Sequence, residues 1–351
     1  MKTMTSSRET LVPPQPERRR NGWILWTGRI LLGLLALIVI LAASGSAYEA
    51  IMAAGDTKRY PPPGQLVDVG GHRLHLHCVG QGSPTVVLDA GLGAFTLDWG
   101  AVQPQIATST RVCAYDRAGL GWSEPGPQPR SPEQFANELH TLLTTAGVEG
   151  PYVLVAHSIS GKTARLFASE HPQDVAGMVL VDARHESVDD HLTLDQRAAE
   201  DAQQQHFQDM IKWMGRFGLV RLLWAPVWPR ALPGSENLSA DTRTTIGVLQ
   251  ARPRQIATAL AEGAAREDSN SLLHTAAPLG DTPLVVVASA QSIDHLPLWK
   301  EAQETMAGLS SNSRLIVASS GHAVHFERPA LVAESIRQVV EAARTGQLLK
   351  P

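Results

Sequence analysis

The chain has 351 residues, 43% of them hydrophobic and 18% charged, with a formal net charge of −4. That length suits one large domain with insertions, and the charge lacks the long basic stripe that a nucleic-acid partner requires. Only two cysteines occur, Cys78 and Cys113, which excludes a disulfide scaffold and a CxxC metal site, and there is neither an internal repeat nor a low-complexity tract.

Met1 to Arg20 is polar, ends in Arg18, Arg19 and Arg20, and reads as a disordered tail. From Ile30 to Ala47 there is no charge, and the centre reads LLGLLALIVILAA. Counted from Trp23, the apolar stretch is roughly 20 residues or slightly more, enough to cross ~30 Å of hydrocarbon as a helix. Arg29 lies near one end, where its side chain can snorkel to the interface beside Trp23 and Trp26. A signal anchor, a cleaved signal peptide and a buried core helix compete for this segment. Gly45 and Ala47 suit cleavage, but the long basic region and the long apolar run favour the anchor. The preceding arginines place the N-terminus in the cytoplasm and the rest of the chain in the periplasm or outside the cell.

Pro61, Pro62, Pro63 and Gly64 close a linker. LVDVGGHRLHLHCVG then reads as a hairpin over Gly70-Gly71, with His75 and His77 on one strand face. No third ligand is nearby, so the pair reads as a solvated outer face and not as a metal site. A strand at Thr85 to Leu88 leads into Ala90-Gly91-Leu92-Gly93, either an ordinary turn or a place where backbone approaches a substrate closely. Arg111 to Tyr115 is the next strand, and Ser131-Pro132 opens a helix to Thr145.

Tyr152 to Ala156 is a short run rich in β-branched residues, and a helical pattern begins at Gly161. Ser158 therefore sits on a sharp strand-to-helix turn, flanked two residues away by the small Ala156 and Ser160. The strand MVLVD closes on Asp182. From His185 to Asp281 the pattern is helical and includes MIKWMGRFGLVRLLWAPVWP, with Trp213, Phe217, Trp224 and Trp228. That stretch suits packing on the core first, then a lid over an acyl pocket or a surface dipping into a bilayer. LVVVASAQSID is a buried strand followed by Asp294. Finally a strand at Arg314 to Ala318 runs into Ser-Ser-Gly, His322 and a turn closed by Pro329.

Four motifs in this order, VVLDAGLG (Val86 to Gly93), DRAGLGWSEPG (Asp116 to Gly126), AHSISG around Ser158 and GHAVHFERP around His322, resemble the α/β-hydrolases of the esterase, lipase and peptidase type over about Leu66 to Val340. The resemblance implies an α/β fold: a mostly parallel sheet flanked by helices, with a helical cap between the sixth and seventh strands. The chain then divides into a tail (1–22), a transmembrane signal anchor (23–47), a linker (48–64), a core in two parts (65–184 and 282–351) and the cap (185–281).

The same resemblance puts Ser158 on the nucleophile elbow, with Ala156 and Ser160 replacing the two glycines of G-x-S-x-G. His322 becomes the base, and the order serine, acid, histidine is that of α/β-hydrolases. Asp294 is taken as the acid because it is the carboxylate of the loop after the seventh strand, although Ser292 occupies the family's usual position. Asp182 is its rival. The backbone N–H groups of Leu92 and Ile159 become the oxyanion hole; His157 reads as a structural neighbour, and His325, lacking a preceding glycine, as a weaker competitor of His322 for the base. Neither a cofactor nor a metal is implied. In the family's strand order Cys78 and Cys113 lie on neighbouring strands, either as a disulfide in an oxidising compartment or as buried thiols.

The expected function is hydrolysis of a carboxylic ester through an acyl-serine intermediate. The alternatives are an aminopeptidase of the proline-iminopeptidase type and a catalytically dead, membrane-tethered binding protein. Haloalkane dehalogenases and epoxide hydrolases carry aspartate where Ser158 stands. The partners expected are a small ester or acyl compound and the lipid bilayer, with no nucleic acid.

Overall fold

The computed structural model describes residues 22–191, 194–296 and 298–349, so the expected tail lies outside them except for Gly22. Eight strands form one sheet: β1 (Gln65–Asp68), β2 (Arg73–Val79), β3 (Thr85–Asp89), β4 (Val112–Tyr115), β5 (Tyr152–His157), β6 (Val175–Val181), β7 (Leu284–Ser289) and β8 (Ser313–Ala318). Their order is β1-β2-β4-β3-β5-β6-β7-β8. β1 and β2 pair antiparallel, as do β2 and β4, and every other pair is parallel.

The central strands are apolar throughout because both faces of the sheet are covered. Period-two alternation sends Val87, Leu154, Leu180 and Val286 to one face. Val86, Val153, Val179 and Val285 go to the other. The helices Pro132–Thr145 and Ser160–Glu170 cover the first face through Leu139, Leu142 and Phe167. The helix Pro329–Thr345 covers the second through Val332, Ile336 and Val339. Ser131 caps the first of these helices by accepting from the Gln134 amide, as its sequence implies.

Between β6 and β7 the chain is helical, including Leu194–Arg216, Leu219–Leu223, Ala240–Gln250 and Pro253–Ala264. This is the cap expected from the resemblance.

A single helix runs from Gly22 to Arg59, and the chain divides into two compact units within it, after Ser44. In the first unit the large apolar side chains, such as Leu31 and Leu41, are exposed. From Leu25 the helix is long and apolar enough to cross a membrane, by length and composition. In the second unit Glu49 and Asp56 are buried. Arg221 donates to Glu49 at 2.7 Å and to Asp56 at 3.0 Å, and Arg252 donates to Asp56 at 3.1 Å. The linker expected at 48–64 is therefore corrected. Its first part is helix held to the cap by ions, and the chain becomes irregular only at the prolines, which cannot continue a helix.

Two other expectations change. His75 is fully buried, with its Nδ1 3.0 Å from Asp116 Oδ2, because β2 lies inside the sheet rather than on a solvated face. Cys78 and Cys113 stand directly opposite each other on β2 and β4 and form a disulfide, which settles the alternative left open by the sequence.

Candidate active site

Ser158 lies between β5 and the helix Ser160–Glu170 with φ of 58°, a left-handed conformation rare for a residue with a Cβ. Strain of this kind costs on the order of 1–3 kcal/mol and persists only where the surroundings fix it. Here they do. The Ser158 amide donates to Val181 at 3.2 Å, and its carbonyl accepts from Gly161 at 3.1 Å and from Arg184 at 2.8 Å. The turn also needs small neighbours. A Cβ on Gly161 would lie 2.6 Å from that of Ala183, and one on Gly91 would lie 3.3 Å from that of Ser158. Ser160, in the second variant position of the motif, is fully buried and its hydroxyl donates to the Ala90 carbonyl.

His322 follows β8, and its Nε2 lies 2.9 Å from Ser158 Oγ. Its Nδ1 lies 2.6 Å from Asp182 Oδ2. Asp182 immediately follows β6, has no exposed surface and is itself in the left-handed region, with φ of 42°. The Ser289 amide and the Trp299 indole each donate to its Oδ1 at 2.8 Å, and the Ser292 hydroxyl donates to Oδ2 at 2.6 Å. With His322 Nδ1, four hydrogen-bond partners thus satisfy this buried carboxyl group, as burial of a polar group requires.

The expectation that Asp294 orients His322 is overturned. Asp294 is exposed on the short helix Ala290–His295, and both ring nitrogens of His322 are already engaged. The hydroxyl of Ser292, in the same loop, reaches Asp182 instead.

Two further histidines back the site. His157 Nε2 donates to the His322 carbonyl at 3.0 Å, and the His157 ring packs 4.4 Å from that of His325. Burial, with His325 and His322 beside it, pushes His157 well below the usual histidine range. Burial and the neighbouring His322 push His325 down to about 3. Both rings are therefore neutral near pH 7.

The loop after β3 is held by Arg117, a buried residue that sequence reasoning did not single out. Its guanidinium donates to the Gly91 carbonyl at 2.6 Å, to the Ala90 carbonyl at 2.5 Å and to Asp89 at 2.7 Å. It also pairs with Glu262 of the cap, at 2.8 and 2.9 Å. Glu262 Oε2 in turn accepts from the Gly93 amide at 3.0 Å. Burial opposes the charge on Arg117, but Glu262 and Asp89 outweigh it and raise its pKa. In this clamped loop the neighbouring amides Gly93 and Ala94 are bonded, whereas among the described residues neither Leu92 N–H nor Ile159 N–H donates within the protein.

Beside Leu92 and Gly93 the cap bounds an apolar cavity of ≈ 300 Å³, lined by Phe207, Ile211, Met214 and Leu223. Elsewhere, His140, His171 and Asp174 bring potential metal ligands within 4.8 Å of one another. The two rings are stacked 3.8 Å apart at 8°, so their in-plane lone pairs run side by side and do not converge on one ion.

The family model for the alpha/beta hydrolase fold matches residues 84–329, and the chain belongs to that family. A probable transporter, efuK of Hormonema carpetanum, is 27% identical over 300 residues, covering 79% of this chain and 42% of its own length. The chain thus spans less than half of that relative. An esterase from Thermogutta terrifontis is 23% identical with a TM-score of 0.57, covering 80% of this chain and 99% of its own. A putative epoxide hydrolase from Pseudomonas aeruginosa is 17% identical with a TM-score of 0.63, covering 80% and 96%. At these identities the likeness to solved structures concerns the fold.

Proposed function

We propose that this protein is a serine hydrolase that cleaves a carboxylic ester through an acyl intermediate on Ser158. The observation that carries the reading is the hydrogen-bonded chain Ser158–His322–Asp182, with its serine on a strained turn. A serine hydroxyl is a weak nucleophile until a base removes its proton. His322 Nε2 takes that proton as Oγ attacks the ester carbonyl, and Asp182 holds Nδ1–H and stabilises the imidazolium. The free amides of Leu92 and Ile159 receive the oxyanion, where one lost donor typically costs about 10²–10³ in rate. His322 then protonates the departing alkoxide, and the same ring activates the water that releases the acid.

Ser158 stands where an epoxide hydrolase would need an aspartate. The apolar cavity favours an ester over an aminopeptidase substrate, because among the described residues no carboxylate lines it to receive an α-amino group.

The apolar helix supports a single-pass anchor with the N-terminus in the cytoplasm and the catalytic unit outside it. The Cys78–Cys113 disulfide suits that oxidising compartment.

A fluorophosphonate probe should label Ser158, as read by mass on its peptide. Ser158→Ala should abolish both labelling and p-nitrophenyl ester hydrolysis. Turnover of aminoacyl-naphthylamides in preference to esters would overturn the ester reading, and an unlabelled wild type would overturn the nucleophile. Alkaline phosphatase fused after Pro351 should be active; activity only from a cytoplasmic reporter would reverse the orientation.

A further inference from the structure

We propose that the apolar face of the cap docks on the lipid bilayer, so that the enzyme takes lipophilic esters directly from the membrane. The proposal rests on the anchor and the Ser158 hydrolase proposed above. Met210, Trp213, Leu222, Leu223, Trp224 and Val227 are all at least 50% exposed, within two consecutive cap helices and the turn after them. A soluble protein rarely leaves so large an apolar surface in water, and such patches mark interaction sites. Exposed bases rim it: Arg216 lies 5.7 Å from the ring of Trp213, and Arg230 follows the stacked pair Trp224 and Trp228. Tryptophan and leucine rimmed by arginine is the composition that settles at the headgroup boundary.

The position of the patch selects the bilayer over a protein partner. The folded unit begins at Gly45, where a Cβ would lie 2.5 Å from the Phe217 carbonyl, so the two backbones touch. Phe217 stacks on Trp213 with ring centroids 5.7 Å apart. One turn further on, Glu49 is bonded to Arg221, which adjoins Leu222 and Leu223 in sequence. The chain therefore enters the folded unit beside this face, and the residues immediately before Gly45 are the apolar span. Leu223 and Trp224 also line the cavity that reaches Leu92. An acyl chain leaving the bilayer here would pass over apolar surface to the oxyanion amide.

The test uses the full chain in phosphatidylcholine vesicles. Because Cys78 and Cys113 are joined, a cysteine at position 227 (Val227→Cys) is the sole free thiol and can carry an environment-sensitive fluorophore. Its emission should shift to the blue and be quenched by spin-labelled lipid. The same fluorophore at Lys300→Cys, on the core helix Trp299–Ala307, should remain quenchable by aqueous iodide. The double variant Leu222→Glu, Val227→Glu changes exposed residues outside the cavity. It should lower hydrolysis of a long-chain ester dissolved in the vesicles by about tenfold or more, while kcat/KM for aqueous p-nitrophenyl acetate stays within about twofold. A fluorophore at position 227 that stays in water, on enzyme that resists carbonate extraction and reacts with fluorophosphonate, overturns the docking alone. Extraction by carbonate overturns the anchor and the docking together. Failure to react with fluorophosphonate overturns the hydrolase and with it the substrate.

Discussion

Asp182→Asn is the sharpest probe of the proposed mechanism, because the hydrogen bonds around the carboxylate dictate how the amide must sit. At the Oδ1 position an NH2 group would face two donors, the Ser289 amide and the Trp299 indole, each at 2.8 Å. The amide oxygen must therefore remain there, and the NH2 takes the Oδ2 position beside His322 Nδ1. It donates to that nitrogen, so the neutral ring carries its proton on Nε2 and points it at Ser158. In that tautomer His322 cannot accept the serine proton. The expected loss is about 10⁴ in kcat with KM little changed, the size associated with a wrong tautomer. Asp294→Asn, at an exposed position, should leave kcat within about twofold, as is usual for surface substitutions. Initial rates on p-nitrophenyl butyrate, with Tm measured on each variant, decide the matter. If Asp294→Asn lost most activity while Asp182→Asn kept it, with both folded, the reasoning would be refuted.

Other outcomes follow from the same geometry. Glu262→Ala removes the acceptor of the Gly93 amide and a partner of Arg117, so kcat should fall about 10–100-fold, with Glu262→Gln, whose NH2 would face the Arg117 Nε–H, recovering only part of it. An unchanged kcat in the alanine variant would show that the clamp does not position the loop. A chain starting at Gly45 should be soluble and active, whereas one starting at Asp56 loses Glu49 beneath Arg221 and should melt at least about 4 °C lower; equal Tm values in calorimetry would count against that ion pair. His325 is held down to about 3, so below its unfolded value of about 6.5 the unfolded chain binds a proton that the native ring refuses. Stability is therefore complete above that value and is lost as pH falls towards about 3. Between pH 7.5 and 4.5 this histidine should account for about 3 kcal/mol of the loss in urea unfolding, and His325→Phe should show a correspondingly smaller loss.

The proposed nucleophile and base were legible because each is written in contiguous residues: a strand, a tight turn with small neighbours and a helix around Ser158, and a strand ending in Ser-Ser-Gly before His322. The acid was not. Asp182 and Asp294 both follow strands of the same sheet, and both satisfy the order serine, acid, histidine, so chain order could not separate them. The separating signal was Ser292, a hydroxyl where the family's acid usually stands, which acts as a donor to a carboxylate on the neighbouring strand. Arg117 and Glu262 escaped because their pairing joins the core to the cap across a long sequence separation. His75 was misread for the same reason, since its partner Asp116 arrives from another strand end. The helical stretch after Tyr48 was hidden by the prolines, which mark where the helix has already stopped rather than where a linker begins.

The placement of Asp182 after β6 has a consequence for how the protein can vary. The proposed nucleophile and acid belong to one strand–helix–strand unit, and the parallel register His157↔Val181 sets their spacing before the cap enters the chain. Only the histidine must be delivered from a distance. Everything between Asp182 and the last strand is relieved of supplying a reacting group, apart from the supporting contacts of Glu262, Ser289, Ser292 and Trp299. The cap and the loop around Asp294 form a region that selection or an engineer can remodel to change what is recognised while the proton relay stays where it is. Substrate preference and the proton relay are, in this chain, separable inheritances.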